Sequence, residues 1–248
     1  MANRQRAEAR RKAAAKAARG GGGGGGGSAP WLWIGVALAA VVAVVLVVVL
    51  VTGGGDDDPA AGDTTVATNP ASNFPDSQPV EVDGDALFTY NPDAPLDEAV
   101  GVTAPILVGK NFQGDTITVD AAANGATMLV FLAHWCPHCN AEIPRLLDWK
   151  TLGDVPDELN VIGVATANSP NSVNYPPADW FSNKGWSWPV LVDQSQGDGV
   201  AGVAASAMGA SAWPYIVIIG ADGKVKVRVS GEKSIDEINQ LVTDALNS

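Results

Sequence analysis

The six residues His134-Trp135-Cys136-Pro137-His138-Cys139 hold both cysteines and both histidines of the 248-residue chain. Two thiols separated by two residues can close a small disulfide ring when the turn opens a helix. The same pair can then exchange electrons with the thiols of another protein. Cys136 is expected to end a strand and begin a helix, where first-turn N–H groups and the helix dipole favour thiolate. His138 adds positive charge or a hydrogen bond at the same sulfur. Both effects mark Cys136 as the attacking thiol, and by stabilising the reduced form they make the disulfide more oxidising. Cys139, deeper in the helix, is expected to resolve the mixed disulfide.

The elements that position this pair are readable around it. Thr127–Ala133 is a continuous apolar run suited to a central strand buried on both faces. A helix follows from about Pro137, with proline at a first-turn position where its missing N–H costs nothing. Pro144 falls inside that helix and is expected to kink it. Further strands are expected at 105–112, 116–119, 160–166 and 189–192. Short helical stretches are expected at 178–183 and 199–208. Tyr215–Ile219 and Lys224–Val229 flank an Ala-Asp-Gly turn and read as a hairpin. Ser234 and Glu237 form a capping box for a last helix over 234–247. Strand–helix alternation closed by a hairpin and a helix predicts an α/β fold, a central mixed sheet flanked by helices.

Upstream, the chain divides by charge. Met1–Arg19 carries seven basic residues and one acid, leaving eight basic and 26 acidic residues, a formal −18, for the remainder. That acidic body argues against nucleic acid, whose phosphates need a positive face. Residues 1–30 are expected to form a basic cytoplasmic segment with a linker of eight glycines, Gly20–Gly27. Trp31–Val51 is an uncharged run of 21 residues, long enough as a helix to cross the hydrocarbon core of a bilayer. Trp31 and Trp33 suit the headgroup layer, and basic residues before it with Asp56-Asp57-Asp58 after it place the N-terminus in the cytoplasm. The run is too long for the apolar core of a cleaved signal peptide. Residues 52–98, poor in apolar side chains, are expected to be a disordered acidic linker, and 99–248 the folded extracytoplasmic domain. Two cysteines are too few for a structural framework outside the cytoplasm, and so short a ring adds little as a staple.

Phe131 to Cys139, followed by Glu142-Ile143-Pro144, resembles the membrane-anchored thioredoxin-like proteins of the TlpA/ResA group. The Pro-His pair between the cysteines is that of the DsbA oxidases. The resemblance implies a thioredoxin-like fold and a thiol–disulfide oxidoreductase with no organic cofactor. Its partners would be protein thiol or disulfide substrates and a membrane or extracytoplasmic redox partner. It also implies that Glu142 affects the chemistry of the buried cysteine, the other reading being an exposed helix carboxylate. Pro214 matches the group's cis-proline, which would present the backbone of Trp213 to a substrate strand. Trp135 and Trp213 would form an apolar collar for unfolded substrate. The chain departs from the pattern in two places. Trp213 stands where the group often has Thr, and Val130 stands where thioredoxins carry a buried Asp. Direction of electron flow stays open, the Pro-His pair leaning to oxidation and the group to reduction.

The remaining residues have plainer readings. His134 is expected at the rim as an exposed or capped imidazole, and Trp180, Trp186 and Trp188 as packing. A copper or zinc carrier would need ligands beyond the two thiols and two imidazoles, and no second pair stands elsewhere. A peroxidase would consume peroxide at Cys136, and a binding module would tolerate Cys136→Ser.

Overall fold

The computed structural model describes residues 73–248. Its strands are β1 (Glu81–Asp83), β2 (Ile106–Lys110), β3 (Thr116–Val119), β4 (Thr127–Leu132), β5 (Asn160–Ala165), β6 (Val190–Val192), β7 (Tyr215–Ile219) and β8 (Val225–Ser230). The helices between and after them are α1 (Ala121–Asn124), α2 (Pro137–Thr151), α3 (Pro177–Asn183), α4 (Val203–Ala207) and α5 (Ile235–Leu246). All strands join one sheet in the order β1-β2-β6-β5-β4-β7-β8, with β3 on the free edge of β2. β4 is central, parallel to β5 and antiparallel to β7. This is the thioredoxin-like mixed sheet expected from the strand–helix alternation.

Every residue of β4 is buried, and successive side chains go to opposite faces. Met128, Val130 and Leu132 join Ile143, Leu146 and Trp149 of α2, Phe181 of α3, and Ile238 and Val242 of α5. Leu129 and Phe131 face the other way, toward Ala204 and Ala205 of α4 and toward Val80 and Leu87 ahead of β2. The sheet is therefore covered on both faces, which is why its central strands read as unbroken apolar runs. α2 buries Cys139, Glu142, Ile143, Leu146 and Trp149, a single stripe at helical spacing. Trp149 Nε1 donates to Asn239 Oδ1 at 2.8 Å and ties α2 to α5. α5 carries the capping box of Ser234 and Glu237.

Two expectations are corrected. The linker expected to run to residue 98 stops short of that, because residues 73–98 are fastened to the domain. β1 pairs with β2, and Val80 and Leu87 are buried. Leu87 and Tyr90 donate backbone N–H groups to Ala207 and Gly209 carbonyls, both at 2.8 Å. Arg228, almost wholly buried, pairs with Asp97 and donates to the Phe88 carbonyl at 2.6 Å. Gly209 has φ +72°, and a Cβ there would collide with the Phe88 carbonyl, so this close approach requires glycine. The helix expected over 199–208 is also shorter. Gly197 and Gly199 have positive φ, and the buried Asp193 carboxylate accepts the N–H groups of Ala204 and Ala205, which starts α4 at Val203.

Among the described residues no helix is long and apolar enough to cross a membrane. The apolar run at 31–51, the basic segment and residues 52–72 lie outside them.

Candidate active site

β4 delivers the site. After Leu132 the chain leaves the sheet through Ala133 and His134, and Cys136 closes a tight turn by donating its N–H to the Ala133 carbonyl at 3.0 Å. Cys136 is the N-cap of α2, with Pro137 in the first turn. No side chain caps this end, so the first-turn N–H groups are free to face the sulfur. The Cys136 thiol is pulled down to about 6. The largest cause is a hydrogen bond from the Cys139 thiol, opposed by burial. The backbone N–H groups of Cys139 and His138 and the His138 charge add to it. Both cysteines are free and buried.

Cys139 is fully enclosed, one helical turn further in. Burial drives its thiol far above the ordinary range, and its bond to Cys136 keeps the proton on it. The pair is therefore asymmetric, a stabilised thiolate outside and a thiol inside that donates to it.

Trp213 and Pro214, on the loop entering β7, form the opposite wall. Their peptide bond is cis, as the resemblance implied, and the Trp213 carbonyl oxygen lies 3.5 Å from Cys136 Sγ. Trp135 and Trp213 are half-buried against the core beside the cysteines. Trp135 is fixed by its indole N–H, which donates to the Ala167 carbonyl at 2.7 Å.

Glu142 is buried, not an exposed helix carboxylate. It lies one turn below Cys139 on the same helical stripe. Its Oε2 accepts the Lys233 backbone N–H at 2.9 Å and faces Arg145 Nη1 at 3.4 Å, while Oε1 has no partner. Burial raises its pKa against the pull of Lys233 and Arg145. Val130, at the position of the thioredoxin Asp, is fully buried and apolar, and Glu142 is the carboxylate whose charge Cys139 feels.

His138 stands exposed at the mouth, with Nδ1 2.7 Å from Glu232 Oε1. That carboxylate raises the pKa of the ring. The other oxygen of Glu232 lies 2.6 Å from Arg145 Nη1. Glu232, Arg145 and Lys233 were not among the expected site residues. Glu232 is 94 residues from His138, in a loop after β8, and no local pattern marks it.

The expected rim position of His134 is corrected. The ring is fully buried. Ser169 donates its N–H to Nε2 at 3.1 Å, so the proton resides on Nδ1, which donates to the Val173 carbonyl at 2.8 Å. With both nitrogens engaged in holding the loop over 167–176, this imidazole is not a ligand in waiting. Burial lowers its pKa. Among the described residues no three His, Cys, Asp or Glu side chains cluster as metal ligands. Trp180 and Trp186 pack around Phe181, and Trp186 in turn against Trp188, as expected of packing residues.

The model of the AhpC/TSA family matches residues 100–228, over half the chain, with both cysteines, Glu142 and Pro214 inside the match. The chain belongs to the AhpC/TSA family. No curated protein matches the sequence. Among solved structures, the chain is similar to StoA from Bacillus subtilis (17% identity, 57% of this chain and 98% of that one, TM-score 0.45). It is similar also to a DsbF homologue from Corynebacterium diphtheriae (15% identity, 63% and 98%, TM-score 0.48). A thiol:disulfide interchange protein from Chlorobium tepidum TLS is a third (22% identity, 60% and 98%, TM-score 0.44). This AhpC/TSA chain thus presents a Cys-x-x-Cys pair at the N-terminus of α2 on a thioredoxin-like sheet.

Proposed function

We propose that this member of the AhpC/TSA family is a membrane-tethered thiol–disulfide oxidoreductase acting on exported proteins. The observation that carries the reading is the asymmetry of the pair. A thiolate titrating near 6 at a helix N-terminus sits over a buried thiol and beside a cis-proline wall.

In the reducing direction, the Cys136 thiolate attacks one sulfur of a substrate disulfide. The Cys136–substrate bond forms, the substrate S–S bond breaks, and the far sulfur leaves as thiolate. Cys139 then gives up its proton, to Glu142 or water, and attacks Cys136 Sγ. The Cys136–Cys139 bond forms and the second substrate thiolate departs. Two electrons pass to the substrate and the pair is left oxidised. The reverse sequence oxidises a substrate dithiol, and a second dithiol or disulfide protein resets the pair. Trp135 and Trp213 offer apolar surface to an unfolded strand, whose backbone would run beside that of Trp213.

The anchor is proposed on sequence alone: the apolar run Trp31–Val51 with basic residues before it and acids after it. It places the N-terminus in the cytoplasm and the cysteines outside. Resistance of the full chain to alkaline extraction from membranes, with labelling of its cysteines in intact cells by an impermeant maleimide, tests this placement. Release by alkali, or cysteines shielded until lysis, would reverse it.

The activity is tested by reduction of insulin and reactivation of scrambled ribonuclease by the full chain, with Cys136→Ser as the blank. Cys139→Ala should accumulate mixed disulfides with substrates. Consumption of hydrogen peroxide at Cys136 without disulfide exchange would replace this reading by a peroxidase.

A further inference from the structure

Glu232 reaches the site from the loop after β8, and both its oxygens are committed there. Oε1 lies 2.7 Å from His138 Nδ1 and Oε2 lies 2.6 Å from Arg145 Nη1. We infer that Glu232 is a positioning residue of the thiol pair, holding the His138 ring beside Cys136 while Arg145 neutralises the carboxylate from behind. The inference rests on the thiol-exchange reading and deepens it.

The geometry decides the sign of the effect. His138 shares the first turn of α2 with Cys136, and its backbone N–H already faces the sulfur. Its side chain is otherwise exposed and would sample several rotamers. The hydrogen bond to Glu232 selects one of them. A lone carboxylate here would repel the thiolate, but Arg145 balances it. The group His138–Glu232–Arg145 then carries one net positive charge when the ring is protonated, and the imidazolium is its end on the Cys136 residue. The charges that act on the ring are those of Glu232 and Cys136, with Arg145 behind Glu232 and Lys233 next to it in the loop. Among the described residues, Glu232 alone bonds to it.

The consequence is confined to a pH window. Near pH 5 the Cys136 thiol, with its midpoint near 6, is mostly protonated, so charge around the sulfur moves the equilibrium little. Near pH 7.5 an unpartnered ring is mostly neutral, whereas the bond to Glu232 keeps a larger share of the ring protonated beside the thiolate. Loss of Glu232 should therefore weaken the reduced form at pH 7.5 and leave it alone at pH 5.

Glu232→Gln in the full chain provides the test, because it keeps size and hydrogen bonding and removes the charge. Equilibration with glutathione at pH 7.5 should shift about threefold toward the Cys136–Cys139 disulfide, the scale of an exposed pair. At pH 5 the shift should vanish. The His138 ring signals should titrate at lower pH than in the parent. In a His138→Asn background, Glu232→Gln should no longer shift the equilibrium toward the disulfide. A parent-like equilibrium at pH 7.5, an equal shift at both pH values, or a shift that survives His138→Asn overturns the inference. Equilibration with glutathione needs no protein substrate, so a failure of insulin reduction by the parent chain would count against the activity and not against Glu232.

Discussion

Ser169 donates its backbone N–H to Nε2 of His134 at 3.1 Å, across 35 residues of sequence. The bond joins the residue two before Cys136 to the loop that also receives the Trp135 indole. It can exist only while Nε2 carries no proton. Burial already holds the ring below its ordinary pKa. A base depressed in the folded state is protonated preferentially when unfolded. Its contribution to stability is complete above about pH 6.5 and is lost as pH falls through the folded value. Nitrogen NMR should show the Nδ1–H tautomer at pH 7. His134→Ala, which strands the Ser169 N–H and the Val173 carbonyl, should cost about 2–4 kcal/mol in urea unfolding.

The reactivity of the two thiols should separate cleanly. Iodoacetamide should modify Cys136 with a midpoint near 6. Cys139 should stay unmodified in the folded protein at neutral pH, because burial and its bond to Cys136 both hold its proton. Mass spectrometry after a pH series of short pulses checks both. An acidic midpoint also means that the folded, reduced form gains stability as pH rises from about 6 toward the ordinary thiol range, and loses it as pH falls through 6. Cys136→Ser should abolish that slope.

Much of this site was legible in the sequence because its parts are local. A strand of six buried residues, a two-residue spacing and a proline at the helix start lie within Thr127–Cys139, and their geometry follows from chain direction alone. What stayed hidden arrives from a distance. His134 read as an exposed or capped imidazole at the rim since nothing nearby covers it, and its cover is a loop at 169–174. Glu142 gave no sign of burial, because the groups that satisfy it in part lie on its own helix and 91 residues away at Lys233. Residues 73–98 read as linker, since they are held by backbone bonds and one buried arginine and only sparsely by apolar side chains.

That arginine gives a sharp stability test. Arg228 Nε donates to Asp97 Oδ2 at 2.9 Å, and Nη1 reaches the Phe88 carbonyl, so one guanidinium fastens the segment before β2 at two points. The Tyr90 ring lies beside it at 5.5 Å. Arg228→Met fills similar volume but strands the Asp97 carboxylate and the Phe88 carbonyl. It should cost about 3 kcal/mol. The loss should be local first: amides of Leu87, Tyr90 and Gly101 should lose hydrogen-exchange protection before those of β4. Equal loss in both places would mean that the segment and the sheet unfold as one unit.

Glu142 carries the last prediction, and it divides rate from stability. The carboxylate sits one turn from Cys139, is fully buried, and leaves Oε1 without a partner. Burial raises its pKa, so folding favours the protonated acid. Its contribution is therefore greatest below the ordinary carboxylate range and is lost as pH rises through the folded value. Glu142→Gln keeps an acceptor for the Lys233 N–H and has no charge to bury. The variant should gain stability relative to the parent as pH climbs from about 4 toward neutrality. The same change removes the carboxylate one turn from Cys139, an acceptor proposed above for its proton. Resolution of the Cys136 mixed disulfide should slow by roughly 100-fold, the low end for loss of a general base. The Cys136 alkylation midpoint should remain near 6, because its main causes are Cys139 and the first-turn amides. Stopped-flow decay of a fluorescent mixed disulfide at Cys136, read beside urea unfolding across pH, separates the two effects. An unchanged decay with a stabilised fold would reduce Glu142 to a buried charge without a part in the proton's path.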